Sequence, residues 1–193
     1  MGIKVEKIGG ATCEVSGAFS HTEVYVGFLE NFASLTEPKD RCGDNEAATL
    51  EELVTINSAH TFAAGFGFTK IKAIADTVGL ETTQIGSPTM SPVNENKLTI
   101  QILGSKAEIL GFKRLCKGRD LIVLATEFES GQVRQIGSAK YAGRLLESSS
   151  KIEATVEGEN TTTLVFQDKQ KYDAPLLPPT LPRPICFCDG ENL

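Results

Sequence analysis

The clearest hydrophobic pattern in the chain begins at residue 97. Leu98, Ile100 and Ile102 alternate with polar residues, which predicts a strand with one buried face. Residues 104–117 then change to helical spacing and predict one amphipathic α-helix, with a capping box formed by Ser105 and Glu108 at its start. The residues expected to pack this helix onto the core are Ile109, Phe112, Leu115 and Cys116. Gly118 is expected to end the helix in the left-handed conformation.

The segment after the helix is apolar on both faces. Leu121-Ile122-Val123-Leu124-Ala125 has no polar position, so the strand that it predicts must be covered on both sides, by the helix or by a second sheet. Residues 129–131 form a turn signal, and residues 132–137 lead back as a second strand. The best-specified part of the sequence therefore contains no catalytic chemistry.

Short alternating segments occupy most of the remaining chain. Further strands are predicted at residues 3–8, 23–29, 69–76, 80–85, 142–147, 151–157 and 161–166, with turns at Gly79 and Gly158. Residues 50–56 are compatible with a short helix or a strand, and we favour the strand. Many short strands with one good helix predict a mainly β fold: a two-sheet β-sandwich or barrel with one flanking α-helix.

The pattern dissolves in two places. Residues 36–47 lie in a long stretch without periodicity, and loops of that length are usually functional or docked onto a partner. Residues 173–193 are rich in proline, which cannot join a sheet interior. We expect one β-sandwich domain at residues 1–172, with an N-terminal arm and the long loop, followed by a C-terminal arm at residues 173–193.

Composition narrows the class of protein. The 193 residues are 40% hydrophobic, which is typical of a globular chain, and the net charge is −6 without a basic patch for nucleic acid phosphates. No apolar run approaches the roughly 20 residues of a membrane helix, and the N-terminus shows no signal-peptide core. Five cysteines, an odd number that lie far apart except at the end of the chain, suggest reduced thiols and synthesis in a cytosol.

The candidate chemical motifs are all incomplete. Gly65-Phe66-Gly67-Phe68 is half of a dinucleotide-binding loop and is better interpreted as a structural turn. The histidines His21 and His60 lack metal-ligand spacing, and so does the acidic group Asp40, Asp44 and Glu46. Cys186 and Cys188 have one residue between them, so a chain end is favoured over metal or disulfide chemistry. We expect no catalytic, cofactor-binding or metal-binding residue, and no enzyme.

The order of elements resembles a known group of proteins. Residues 103–112 lead into the apolar strand at 120–124, and residues 131–137, a charged strand pair around Gly158, and Ala174-Pro175 follow. This layout resembles structural proteins encoded in the tail modules of phages and prophages of the Bacteroidetes type. It is also similar to phage tail-tube proteins and to the tube proteins of contractile injection systems. The resemblance covers residues 50–175 and carries no site residue.

The resemblance implies a virion protein made in the host cytoplasm. Tail-tube subunits form six-membered rings that stack into a tube, so the implied partners are further copies of the chain, other tail proteins such as a tape measure or tail terminator, and DNA that passes without specific binding. We expect no membrane partner. The alternatives are a head decoration protein, a connector ring or a ligand-binding β-domain. A bore for DNA should be neutral or acidic, and its candidate acidic residues are Glu14, Glu23, Glu81, Glu147, Glu153 and Glu157.

Overall fold

The fold is a β-sandwich with one α-helix, as the alternating pattern predicts. The computed structural model describes residues 23–90, 92–127, 131–155 and 157–178. The strands in this part are β1 (Glu23–Phe28), β2 (Phe32–Ser34), β3 (Thr61–Phe62), β4 (Thr69–Lys72), β5 (Gly79–Ile85), β6 (Val93–Leu103), β7 (Leu121–Thr126), β8 (Val133–Ile136), β9 (Arg144–Ile152), β10 (Asn160–Gln170) and β11 (Leu176–Leu177). The helix α1 is Ala107–Cys116, and 3-10 helices lie at Leu29–Asn31 and Glu51–Leu53.

Two antiparallel sheets form the layers of the sandwich. The five-stranded sheet has the order β11-β8-β7-β1-β4, and the four-stranded sheet has the order β5-β6-β10-β9. β2 and β3 form a separate small sheet, which the sequence did not predict. β6 and β10 pair over ten consecutive positions, from Leu103 opposite Thr161 to Asn94 opposite Gln170. These two long strands are the centre of the four-stranded sheet.

The prediction that residues 121–125 are covered on both faces is confirmed. β7 is the middle strand of the five-stranded sheet. Leu121, Val123 and Ala125 face the main core between the two sheets. Ile122 and Leu124 face a second core on the other side of the sheet. The aromatic rings of Phe32, Phe62 and Phe68 pack on that side, with centroids 4.2–5.6 Å apart, so the β2–β3 region is the cover.

Helix α1 lies where it was predicted but begins later. Its N-cap is Lys106, and no side chain caps it, so the predicted capping box of Ser105 and Glu108 is wrong. The chain turns at Gly104, which has a φ of +89°, and this turn leaves Ser105 outside the helix. Gly118 has a φ of +71°, as expected of a residue that ends a helix.

The buried face of α1 differs from the prediction at one position. Ile109 and Phe112 pack against the main core and Cys116 is fully buried, whereas Leu115 is 46% exposed. The three contacting residues follow the spacing of three and four that defines one helix face, and Leu115 lies about 100° away from Cys116. Leu115 therefore lies beside the buried face of the helix and not within it.

Three strand predictions need correction. Residues 50–56 contain the 3-10 helix Glu51–Leu53 rather than a strand. β4 and β5 do not form a hairpin, because β4 pairs with β1 and β5 pairs with β6 in the other sheet. The two strands predicted at residues 142–147 and 151–157 are one strand, β9, which ends at Ile152. Alternation reports the buried face of a strand but not its neighbour, which explains the second error.

Residues 36–47 and the described part of the second unpatterned segment, residues 173–178, lie against the sandwich. Residues 36–47 contain no helix or strand, only an isolated bridge between Asp40 and Glu46, and Ala47 is buried. The first six residues of the predicted C-terminal arm belong to the domain. Leu176–Leu177 form the edge strand beside β8, and Ala174 lies in the main core. Residues 1–22, with the strand predicted at 3–8, and residues 179–193 lie outside the described part.

Candidate assembly surface

The four-stranded sheet presents a buried face and a polar face. Along β6 and β10 the inward side chains Leu98, Ile100, Leu164 and Phe166 have no exposed surface. The residues between them point outward, and Thr99 lies opposite Val165 and Gln101 opposite Thr163. Since these four outward residues are all half-exposed, we treat the outer face as the first component of a candidate assembly surface.

Lys97 interacts with three glutamates on the outer face. It lies directly between Glu81 on β5 and Gln167 on β10, and its Nζ atom is 2.9 Å from Glu95 Oε2. The hydrogen bond and charge of Glu95 raise the pKa of Lys97, with smaller contributions from Glu81 and Glu147. The glutamates therefore surround a lysine, and Lys97 balances part of their charge.

The outer face is close to neutral as a whole. Its outward register positions carry three glutamates, Glu81, Glu95 and Glu147, and four cations, Lys97, Lys151, Lys169 and Arg144. Lys169 Nζ lies 3.4 Å from Glu95 Oε1. Arg144, at the start of β9, is paired with Asp120 at 2.9 Å. A surface of this balance has no field that would hold a polyanion.

Two open edges are the second component of the surface. Within the described ranges, no strand is hydrogen-bonded to the outer side of β5 or of β9. All three pairings in this sheet are antiparallel, so with four strands the two edge strands run in opposite directions. Free edges of seven and nine residues present rows of unpaired backbone N–H and C=O groups.

The β9 edge is polar and irregular at one point. The register against β10 shifts between Glu147 and Leu145, which makes Leu146 a bulge residue that is 47% exposed. From Glu147 to Ile152 the register is regular, and this stretch is Glu-Ser-Ser-Ser-Lys-Ile. A polar edge strand with a bulge is protected against unspecific pairing with strands of other chains. It retains six regular positions at which a specific neighbouring strand could pair.

The acidic residues proposed for a bore are dispersed. Glu81 and Glu147 lie on the outer face of the four-stranded sheet. Glu23, on β1, forms an ion pair with Lys70 at 2.6 Å. Glu153 pairs with Lys151 in the turn after β9, and Glu157 is exposed in the same turn. Glu14 is outside the described residues. The structure thus brings two of the six onto one surface.

The incomplete motifs have structural roles in the described part. Gly65 has a φ of +86° and Phe68 is buried in the second core. The Gly-Phe-Gly-Phe segment is therefore a turn that places the ring of Phe68 in that core. Asp40 pairs with Lys171 at 3.3 Å along one side of an open cleft of about 620 Å³. Asp44 and Glu46 are exposed. His21, Cys186 and Cys188 fall outside the described residues.

The described cysteines and acidic residues form no metal centre. Among the described residues, no group of three or more His, Cys, Asp or Glu side chains could hold a metal ion. Cys116 lies in the main core, and burial raises the pKa of its thiol to about 12, whereas Cys42 is exposed. In the same part of the chain, no helix has the length and hydrophobicity that crossing a bilayer requires.

Sequence reasoning missed a buried polar group beneath the sheet. Asp168 accepts hydrogen bonds from Asn96 Nδ2 at 2.8 Å, from Gln170 Nε2 at 2.8 Å and from the N–H of Gly137. Burial raises the pKa of Asp168 to about 6, against the lowering effect of the hydrogen bonds. The available signal was the register: Asp168 and Gln170 continue the inward positions of Leu164 and Phe166.

The comparisons with known proteins give one structural likeness. No protein family and no curated protein matches the chain. A chain in the cryo-electron microscopy structure of the anti-feeding prophage baseplate, solved with six-fold symmetrisation, is similar in structure. The alignment has a TM-score of 0.40 and 13% identity and covers 87% of this chain and 100% of that one. At this level the likeness says nothing about the function or the assembly of this chain.

Proposed function

We propose that this chain is a virion structural protein, a tail-tube subunit that forms rings of six which stack into a tube for DNA. The observation that carries the proposal is the pair of open edges on the four-stranded sheet. Because β5 and β9 run in opposite directions, β9 of one copy can lie beside β5 of the next and continue the antiparallel order. The sequence resemblance to tail-tube proteins supports a closed ring of six copies.

Edge pairing of this kind is heterologous, since two different edges meet. Such a contact repeats until the rotation between copies closes a ring. Closure would join the four-stranded sheets into one continuous barrel and remove every free edge of this sheet. The polar outer face would then line one side of the barrel wall, and the five-stranded sheet would lie on the other side.

The balanced charge of the outer face fits a bore for DNA. A lining rich in lysine and arginine would bind phosphates and retain the duplex, whereas a neutral lining leaves it mobile. Glu81, Glu95 and Glu147 oppose Lys97, Lys151 and Lys169 on this face. The proposal assigns no catalytic role to the chain; its partners are further copies, other tail proteins and DNA that passes without specific contacts.

Electron microscopy of the purified protein is the direct test. We expect rings with six-fold symmetry and stacks of rings in negative stain, and a multiple of the subunit mass in solution. A protein that stays monomeric at high concentration, and is absent from the tube of the virion that carries its gene, would contradict the proposal. Rings of another symmetry would favour a connector or decoration protein.

A matched pair of proline variants tests whether β9 is the contact. Along an edge strand, successive residues point their N–H groups alternately to the neighbouring strand and to the free edge. Of Ser148→Pro and Ser149→Pro, one therefore removes a hydrogen bond to β10, and the other removes one available only to a neighbouring copy. We expect one variant with a lowered melting temperature and one that folds normally but forms no rings. Normal rings from the well-folded variant would exclude β9 as the contact.

A further inference from the structure

His60 connects the beginning of the loop 36–47 to the five-stranded sheet. Its Nδ1 atom accepts a hydrogen bond from the backbone N–H of Thr36 at 3.2 Å, and its Nε2 atom lies 2.6 Å from Gln135 Oε1. The ring packs edge-on against Phe32, with centroids 6.1 Å apart. Gln135 is the third residue of β8, and its side chain is fully buried. One imidazole therefore bridges a loop and a core residue that are distant in sequence.

The hydrogen bonds around the ring specify one tautomer. Gln135 Nε2 donates to the carbonyl oxygen of Gly137 at 2.8 Å, so the amide oxygen of Gln135 faces His60 and needs a donor. His60 Nε2 must then carry the proton. His60 Nδ1 is left with a lone pair, which is what the N–H of Thr36 requires. The whole chain of bonds is satisfied only by a neutral imidazole.

Protonation would break this arrangement at a defined atom. A second proton on the ring goes to Nδ1 and turns that atom from an acceptor into a donor. The N–H of Thr36 then faces another N–H, and the two groups repel. Burial already disfavours the imidazolium and lowers the pKa of His60, and the Gln135 hydrogen bond offsets only part of that effect.

The charged groups next to Thr36 and Gln135 in sequence, and the one that shares Gly137 with Gln135, are engaged elsewhere. Glu37 accepts the N–H of Ala139 at 3.0 Å. Arg134 pairs with Glu127 and donates to the carbonyl oxygen of Ala174. Asp168 accepts the N–H of Gly137, the residue whose carbonyl oxygen accepts the hydrogen bond from Gln135. Within the described residues, none of these groups is hydrogen-bonded to the imidazole, so none of them is in place to accept a hydrogen bond from a protonated Nδ1.

We propose that His60 is a pH-sensitive latch that holds the start of the loop 36–47 at neutral pH and releases it in acid. The release is local, because the following residues have anchors of their own. Lys39 is tied to Glu52 by a backbone hydrogen bond of 3.1 Å and a side-chain ion pair of 2.8 Å. Asp40 is paired with Lys171. The opening is therefore confined to the backbone at Thr36, while Glu37, which is held by the N–H of Ala139, and residues 39–47 remain attached.

The tautomer is the first measurement. In ¹⁵N-imidazole NMR spectra of the full chain at pH 7.5, we expect the signature of the Nε2–H tautomer for His60. A predominant Nδ1–H tautomer, or an imidazolium at this pH, would overturn the proposal directly. His21, the other histidine, is identified by its absence from the spectrum of His21→Gln.

Amide exchange measured at pH 7.5 and pH 5 tests the release. After correction for the intrinsic exchange rate, protection of the Thr36 amide should fall by about tenfold in acid, as expected for the loss of one hydrogen bond. The Lys39 amide, bonded to the backbone carbonyl of Glu52, is the internal control and should keep its protection. Unchanged protection at Thr36, or an equal loss at Lys39, would contradict a local latch.

Two variants separate His60 from the other groups that titrate in this range. His60→Gln and His60→Asn cannot be protonated, so the difference in Thr36 protection between the two pH values should disappear in both. A difference that persists in a folded variant would assign the effect to another group, such as Asp168. If neither variant folds, the tautomer and the wild-type exchange profile still decide the outcome.

Discussion

At the residue scale, two glycines with a positive φ should differ in how much stability is lost when each is replaced by alanine. Gly118 and Gly137 have φ values of +71° and +94°, which residues with a side chain adopt at a penalty. A Cβ atom on Gly118 would meet no atom within 4 Å. On Gly137 it would lie 2.6 Å from both the N atom of Gly143 and the carbonyl oxygen of Leu121. Both of those atoms belong to the backbone, which shifts less readily than the end of a flexible side chain.

Gly118→Ala and Gly137→Ala therefore form a matched pair. We expect Gly118→Ala to lower the free energy of unfolding by about 1–2 kcal/mol, which is the cost of the left-handed conformation alone. Gly137→Ala should lower it by a clearly larger amount or prevent folding, since the bond between Leu121 and Gly143 must separate. Denaturant titration of both variants provides the comparison, and equal losses would show that the segment around Gly143 can adjust.

At the element scale, helix α1 offers a similar comparison. Phe112 is half-buried against the main core and Leu115 is 46% exposed. Phe112→Ala should lower the free energy of unfolding by about 1–3 kcal/mol, less than the removal of a fully buried ring. Leu115→Ala should change it by about 0.5 kcal/mol or less. Thermal melts of the two variants test the assignment, and the reverse order would mean that the helix packs through its other side.

Also at this scale, the sequence shows which elements are predictable. β6, β7 and β10 have strong patterns and appear as expected, because alternation or continuous hydrophobicity reflects burial directly. The partner of a strand is not encoded locally, so the crossing from β4 to β5 between sheets was missed. The candidate assembly surface could not be predicted either, because Lys97 and Glu147 come to lie on one face through a register that only the folded sheet defines.

At the scale of the whole molecule, two buried groups give opposite pH dependences. The pKa of Asp168 is raised from its ordinary value of 3.8 to about 6, so the folded state binds a proton here more tightly than the unfolded chain does. The resulting contribution to stability is complete below pH 3.8 and is lost as the pH rises through about 6. The lowered pKa of His60 stabilises the fold above its ordinary value of 6.5, and that contribution is lost as the pH falls. In the wild-type chain the two pH-dependent contributions to stability partly cancel between pH 3.8 and pH 6.5.

Single variants should expose each dependence. Asp168→Asn leaves His60 alone, so the stability of this variant, relative to wild type, should fall more steeply as the pH drops below 6.5. His60→Gln leaves Asp168, and its stability should rise, relative to wild type, as the pH drops from 6 towards 4. Urea midpoints between pH 4.5 and 7.5 provide the profiles. Two profiles parallel to wild type would show that neither group is coupled to folding.

The position of β11 has a consequence for how the protein is made. Leu176 donates its N–H to the carbonyl oxygen of Val54 and accepts the N–H of Ile56, and Pro175 accepts the N–H of Gln135. Backbone groups of residues 54, 56 and 135 thus gain their hydrogen-bond partners only when residues 175 and 176 have been synthesised. A ribosome-bound chain that ends before residue 174 still has the β8 edge and part of the second core open to water. We expect the subunit to close only after these residues emerge, which leaves incomplete chains dependent on chaperones.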